Sequence, residues 1–142
     1  MKFIKQNVVY LALVTALAAM LGSLYFSNVL GFPPCMLCWY QRICMYPIVV
    51  ITAIGILRKD TLLHWYVLPL SLIGTGISIY HNLLYYSIIP ESLAPCAAGI
   101  SCTTKFVEYF WFLTIPLLSL IALIVIDICM IIYWRSNNEQ RS

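Results

Sequence analysis

Charge is what this 142-residue sequence has least of: eight Lys and Arg and five Asp and Glu, 9% of the chain. A soluble domain carries about 25% charged residues, and 63% of this chain is hydrophobic. That balance excludes a water-soluble globule and makes lipid the main solvent. No charged residue stands between Lys5 and Arg42, so a soluble N-terminal domain is excluded as well. Internal repeats, low-complexity tracts and a polar second domain are all missing, and residues 1–142 read as one integral membrane domain. The net charge of +3 follows membrane topology and gives no reason to expect a nucleic-acid partner.

What remains is apolar runs divided by small polar punctuation. Each membrane helix needs ~20 apolar residues, and backbone in lipid must satisfy its own hydrogen bonds. Four spans fit, over about 8–27, 39–57, 62–80 and 109–134. The fold expected is therefore an all-α, four-transmembrane-helix bundle with two outer loops. With both termini inside, six basic residues (Lys2, Lys5, Arg58, Lys59, Arg135, Arg141) are cytoplasmic and two (Arg42, Lys105) are outside. The positive-inside rule favours that orientation in the cell membrane. The first apolar run is too long for the 7–15-residue core of a cleaved signal peptide, so it reads as a span. "RSNNEQRS" reads as a polar tail, and Asp127, the only acid deep in a span, as an interfacial charge tolerated near Trp134 and Arg135.

The six cysteines separate by position. Cys44 and Cys129 lie inside spans and read as small hydrophobes. Cys35 and Cys38, in "GFPPCMLCWYQR", open the second span, and Cys96 and Cys102 lie in the second outer loop. Both pairs thus fall on one face, the oxidising one, where disulfides persist. A CxxC alone can be a structural disulfide, half a metal site or a redox pair.

Pro33 and Pro34 cannot extend the first helix and suit a turn into the next. Cys35 and Cys38 then sit at a helix N-terminus, whose partial positive charge favours a thiolate. Nearby lipid opposes this by desolvation. Arg42, four residues after Cys38, shares its helix face. It is either an arginine snorkelling to water or a fixed cation beside a thiolate, and the cysteine one turn earlier favours the second. Five residues separate Cys96 from Cys102, with Pro90 and Pro95 ahead of them. That loop suits a protein partner, whereas the first pair is held where a lipid-soluble oxidant arrives. One pair facing protein and the other facing lipid suits an electron relay.

Four spans, "CMLCWYQR" opening the second, "YHNLL" ending the third and a cysteine pair before the fourth together resemble the disulfide-bond-formation protein B (DsbB) family, in its compact BdbC type. The likeness implies a membrane enzyme that reoxidises a thioredoxin-fold dithiol oxidase and passes the electrons to quinone. It implies menaquinone rather than ubiquinone if the Gram-positive likeness holds. On that pattern Cys35 and Cys38 form the quinone-linked disulfide, and Cys38, released as a thiolate, meets the quinone. Arg42 helps hold and polarise the quinone, and His81 lies close to it; without the likeness His81 is an interfacial histidine. Cys96 and Cys102 form the partner-facing disulfide, with Cys96 the site of the mixed disulfide. Gln41 stands where longer members often carry an acid, and their wider loop is shortened here.

Two other classes fit parts of the pattern. Cys35, Cys38, Cys96 and Cys102 could hold zinc or a soft metal in a metal-binding or metal-transport protein, but thiolates on an oxidising face and spans without polar ligands count against it, so no metal is expected. Two structural disulfides pinning the loops of an assembly subunit would resist rapid reduction by a dithiol protein. The vitamin K epoxide reductase type places its cysteine pairs in a different order.

Overall fold

Many large aliphatic side chains face outward in this protein, while several alanine, serine and threonine residues are packed inside beside the buried leucines and isoleucines. Leu57, Ile43 and Val50 are exposed, whereas Ala12, Ala16, Thr52, Ser71 and Ser78 are fully buried. That inversion is what lipid demands: bilayer solvates large aliphatic side chains, and small residues let helices approach closely. A computed structural model describes residues 2–31, 33–93 and 114–142. It contains α1 (Lys2–Asn28), α2 (Met36–Arg58), α3 (Leu63–Tyr85), a 3-10 turn (Glu91–Leu93) and α4 (Ile115–Arg141). All four α-helices are long and apolar enough to cross a membrane. Consecutive helices pack against each other and α4 returns to α1, so the up-and-down bundle expected from the apolar runs is closed.

The helices outrun the apolar segments that announce them. α3 continues past Tyr80 to Tyr85, carrying His81 and Asn82 inside the helix. Hydropathy falls at these residues, but both have side-chain hydrogen-bond partners on a neighbouring helix. Asn82 donates from Nδ2 to the carbonyls of Ser78 (2.8 Å) and Pro116 (3.0 Å), bonding α3 to the first turn of α4. At that point Thr114 takes the N-cap and Pro116 stands in the opening turn, where a missing N–H costs nothing. Residues 109–113, the start expected for the fourth span, lie outside the described residues.

"RSNNEQRS" is also helix rather than a tail, because its polar groups latch the turn between α2 and α3. Asn137 donates from Nδ2 to the Thr61 carbonyl (2.8 Å) and the Tyr133 hydroxyl to that of Asp60 (2.7 Å). Lys59, left-handed at φ 51°, ends α2 there, and the Leu62 N–H donates to the Asp60 carboxylate.

Asp127 departs most from its expected place. It lies twelve residues into α4, in mid-span, and is buried. Its carboxyl group is held by the hydroxyls of Ser71 and, at 2.7 Å, Thr75, both on α3. Gly74 beside them has no room for a side chain: a Cβ there would stand 3.2 Å from Leu123 and 3.3 Å from Cys44. The buried acid is thus a clasp between α3 and α4.

Each hydroxyl has a fallback, Ser71 to the Leu68 carbonyl and Thr75 to that of Ser71. Hydrogen bonds between membrane helices average ~0.6 kcal/mol. Asp127→Ala should therefore destabilise the purified protein by about 1–2 kcal/mol in detergent-induced unfolding followed by circular dichroism. Asp127→Asn, which keeps an acceptor, should lose less than half as much. Equal losses would mean that the carboxyl group is not the clasp.

Candidate functional site

Gly31 (φ 67°) and the two prolines bring the chain from α1 into α2. Cys35 is the N-cap of α2, extended at φ −71° and ψ 169°, and its carbonyl accepts the Trp39 N–H at 3.1 Å. Cys38 falls in the first helical turn on the same side. The two sulfurs are 3.1 Å apart, within hydrogen-bonding reach of each other. Cys35 is buried with Leu37 and Leu84 in a small cluster that seals the pair against α3, while Cys38 is half-buried.

Antiparallel packing of α2 on α3 brings His81 to this helix end. Its Nε2 lies 3.7 Å from Cys35 Sγ, and its Nδ1 lies 3.2 Å from the side-chain nitrogen of Gln41. His81 and Gln41 are both buried. One turn below Cys38, Arg42 reaches across to α1. Its Nε donates to Ser23 Oγ (2.8 Å), its Nη2 to the Ser23 carbonyl (2.9 Å), and its guanidinium lies 5.5 Å from the Trp39 ring centre.

These groups share a cavity of about 520 Å³. Cys35, Cys38, Gln41, Arg42 and His81 line its polar end. From there it runs between α1 and α4, past Gly22 and Ala18 on one side and Ser119 and Ala122 on the other, as far as Val14 and Val125. Val14 is 60% exposed, so the apolar end reaches the lipid-facing surface.

The reduced pair is electrostatically asymmetric. The Cys38 hydrogen bond holds the Cys35 thiol far below its ordinary value of 9.0, at about 4; burial opposes this shift, and the hydrogen bond and charge of His81 add to it. That asymmetry favours the thiolate on Cys35, and the part of it that comes from His81 on α3 is one that no spacing within α2 reveals.

Of the residues singled out in the sequence, Cys35, Cys38, Arg42 and His81 meet at one place. Cys96 and Cys102 lie outside the described residues. Cys44 and Cys129 are buried among apolar neighbours, as small hydrophobes should be. Ser23 and Gln41 went unnoticed as site residues. Both are uncharged polar residues in helices that cross lipid, and that incongruity was the available signal.

A metal reading has one point in its favour, since the ligand atoms of Cys35, Cys38 and His81 lie within 4.8 Å of one another. The surroundings do not suit a cation. A ligating imidazole offers one bare nitrogen and donates the other N–H to an acceptor. Here an amide nitrogen meets Nδ1 and so leaves the hydrogen on Nε2, the atom that would have to bind metal. Arg42 adds fixed positive charge beside the pair.

The family model for the disulfide bond formation protein DsbB matches residues 5–134. Disulfide bond formation protein C of Bacillus subtilis (strain 168) is 47% identical over 137 residues, covering 95% of this chain and 99% of that protein. A Halalkalibacterium halodurans protein named "Probable disulfide formation protein C" is 42% identical over 132 residues, covering 93% and 96%. No solved structure matches the chain.

The asymmetry of the pair predicts how its reduction depends on pH. If Cys35 stays ionised above about pH 4, reducing the disulfide takes up one proton per two electrons. In a variant without Cys96 and Cys102, the midpoint potential of Cys35–Cys38 should fall by about 30 mV per pH unit across the neutral range. Uptake of two protons would double that slope. The stability that ionised Cys35 gives the reduced protein is complete above about pH 9 and is lost as pH falls toward about 4.

Proposed function

This chain belongs to the DsbB family of disulfide bond formation proteins, and from that membership we propose that it draws electrons from an extracytoplasmic thioredoxin-fold dithiol oxidase and delivers them to membrane quinone. It is a multi-pass membrane thiol oxidoreductase of disulfide formation. The finer reading rests above all on one observation: a single cavity joins the sulfur pair and Arg42 to a lipid-facing groove. A flat aromatic head with a long apolar tail suits that form. The likeness to Bacillus proteins favours menaquinone as the acceptor.

Thiol–disulfide exchange accounts for the first two transfers. A thiolate of the reduced partner attacks Cys96 of the Cys96–Cys102 disulfide, and the partner leaves with its own disulfide. The loop dithiol next opens Cys35–Cys38 and is itself reoxidised. Two electrons and, with Cys35 ionised, one proton have then moved from the partner to the pair at the head of α2, and the partner's second proton goes to solvent. When Cys35–Cys38 closes again, the two electrons and that proton would pass to the quinone, which takes a second proton from solvent and leaves as quinol. Quinone supplies the two-electron sink.

The chain's own residues divide the remaining work. Cys38 is the sulfur that meets the acceptor, since it is the more exposed of the two and lies one turn above Arg42. Arg42, tied to Ser23, holds a fixed cation beside a ring oxygen as negative charge develops there. With the acceptor bonded to Cys38, the Cys35 thiolate would attack that sulfur, forming the S–S bond as the acceptor leaves with the electron pair. His81 steadies that thiolate and lines the same cavity as the acceptor.

Purified protein with a reduced thioredoxin-fold dithiol partner and a short-chain menaquinone should consume quinone absorbance catalytically. Cys38→Ser and Cys102→Ser should each abolish turnover. Arg42→Ala, which removes a charge-assisted contact of about 1.5–3 kcal/mol, should raise the quinone KM roughly 10- to 100-fold. Turnover that survives in Cys38→Ser would overturn the assignment of the pair.

A further inference from the structure

We propose that Gln41 is a positioning residue which fixes the hydrogen of the His81 ring on Nε2, so that an N–H rather than a lone pair faces Cys35 Sγ. The inference rests on the relay described above and concerns how its membrane-side pair is kept ready to close. The geometry is a chain of three contacts: Gln41 nitrogen to His81 Nδ1 at 3.2 Å, His81 Nε2 to Cys35 Sγ at 3.7 Å, and Cys35 to Cys38 at 3.1 Å. An amide nitrogen carries only hydrogens, so the Nδ1 that meets it must accept. The ring's single remaining hydrogen is then on Nε2, and the hydrogen bond at one nitrogen sets the state of the other.

Burial makes the choice consequential. Gln41 is 7% exposed and His81 2%, so water cannot supply a competing donor or acceptor. Among the described residues, the titratable and charged groups around the sulfur pair and its cavity are Cys38, Arg42 and Tyr46 from α2 and Tyr80, His81 and Tyr85 from α3. The walls contributed by α1 and by the described part of α4 bring none to the cavity. Arg42 is engaged by Ser23, and His81 Nε2 reaches Cys35 from α3. With the opposite tautomer a bare Nε2 would face the sulfur, favouring the thiol over the thiolate and removing the nucleophile that closes the disulfide. A carboxylate at position 41 could only accept from Nδ1–H; the amide, turned as it is here with its nitrogen on Nδ1, donates instead.

The test needs no quinone and no partner. The reduced full chain in detergent would be alkylated across a pH series, with Cys35 modification followed by mass spectrometry, and the His81 ring nitrogens read by nitrogen NMR. In the parent, Cys35 should react at pH values far below the ordinary thiol range, with Nδ1 as the bare nitrogen. Gln41→Met, similar in length but without a donor, should shift the Cys35 profile upward by about one pH unit, a roughly tenfold loss of thiolate at a fixed pH between the two midpoints. It should also release the ring to a mixture of tautomers.

His81→Gln keeps an N–H donor near the sulfur and serves as the control. In that background Gln41→Met should have no further effect. An unchanged Cys35 profile and an unchanged tautomer in folded Gln41→Met would overturn the proposal, as would an equal shift from Gln41→Met in the His81→Gln background. Failure of quinone turnover in the parent would leave these readouts intact and count only against the choice of electron acceptor.

Discussion

Lipid gives a buried polar group nothing to bond to, and the rest of this structure is arranged around that constraint. Several polar side chains carried into the bundle find a partner on a neighbouring helix, and each of these becomes a clasp. Arg42 and Ser23 join α2 to α1. Gln41 and His81 join α2 to α3. Asp127 with Ser71 and Thr75, and Asn82 with the Pro116 carbonyl, join α3 to α4. Around the cavity, α1 and α4 instead face each other through small and apolar side chains such as Ala18, Gly22, Ile121 and Ala122. The groove opens along a seam without clasps there, and parting that seam to admit an apolar ligand breaks no buried hydrogen bond.

Two of these clasps also form the site. The helix N-terminus that holds the sulfurs would be a weak thiol-activating device in lipid, because desolvation works against any thiolate. The Cys38 hydrogen bond opposes that penalty most, and α3 adds to it by bringing an imidazole to Cys35. The same packing fixes the imidazole through Gln41 and so couples the chemistry of the pair to the docking of two helices. Rigidity at this point is an advantage: a closing disulfide needs two sulfurs in near contact, and residues three apart on a helix supply that spacing without strain.

Much of this was legible in the sequence, and the unreadable part has a common cause. Apolar runs divided by "RKD" and by the cysteine segments gave the four-helix bundle, since lipid leaves few alternatives to helices. The CxxC with Arg42 one turn on gave the site, because both features are local in the chain. The ends of α3 and α4 were misjudged: His81, Asn82 and Asn137 lower the hydropathy, and their partners (Pro116, Thr61) are 34 to 76 residues away. Asp127 was taken for an interfacial charge for the same reason, because Ser71 and Thr75 lie on another helix. The location of the thiolate depended in part on His81, 46 residues from Cys35. Local pattern reads what a residue does to its own helix, whereas a clasp belongs to two.

Arg42 shows the difference most clearly. A guanidinium is costly in lipid, and the partners found for it among the described residues are a hydroxyl and a carbonyl of Ser23, both neutral. Among the described residues its hydrogen bonds are served and no carboxylate meets its charge. A cation at the wall of a cavity that also holds a thiol pair is stabilised whenever negative charge arrives there, on sulfur or on the oxygen of an electron acceptor. The site therefore stores, in its resting state, an electrostatic demand that electron transfer satisfies.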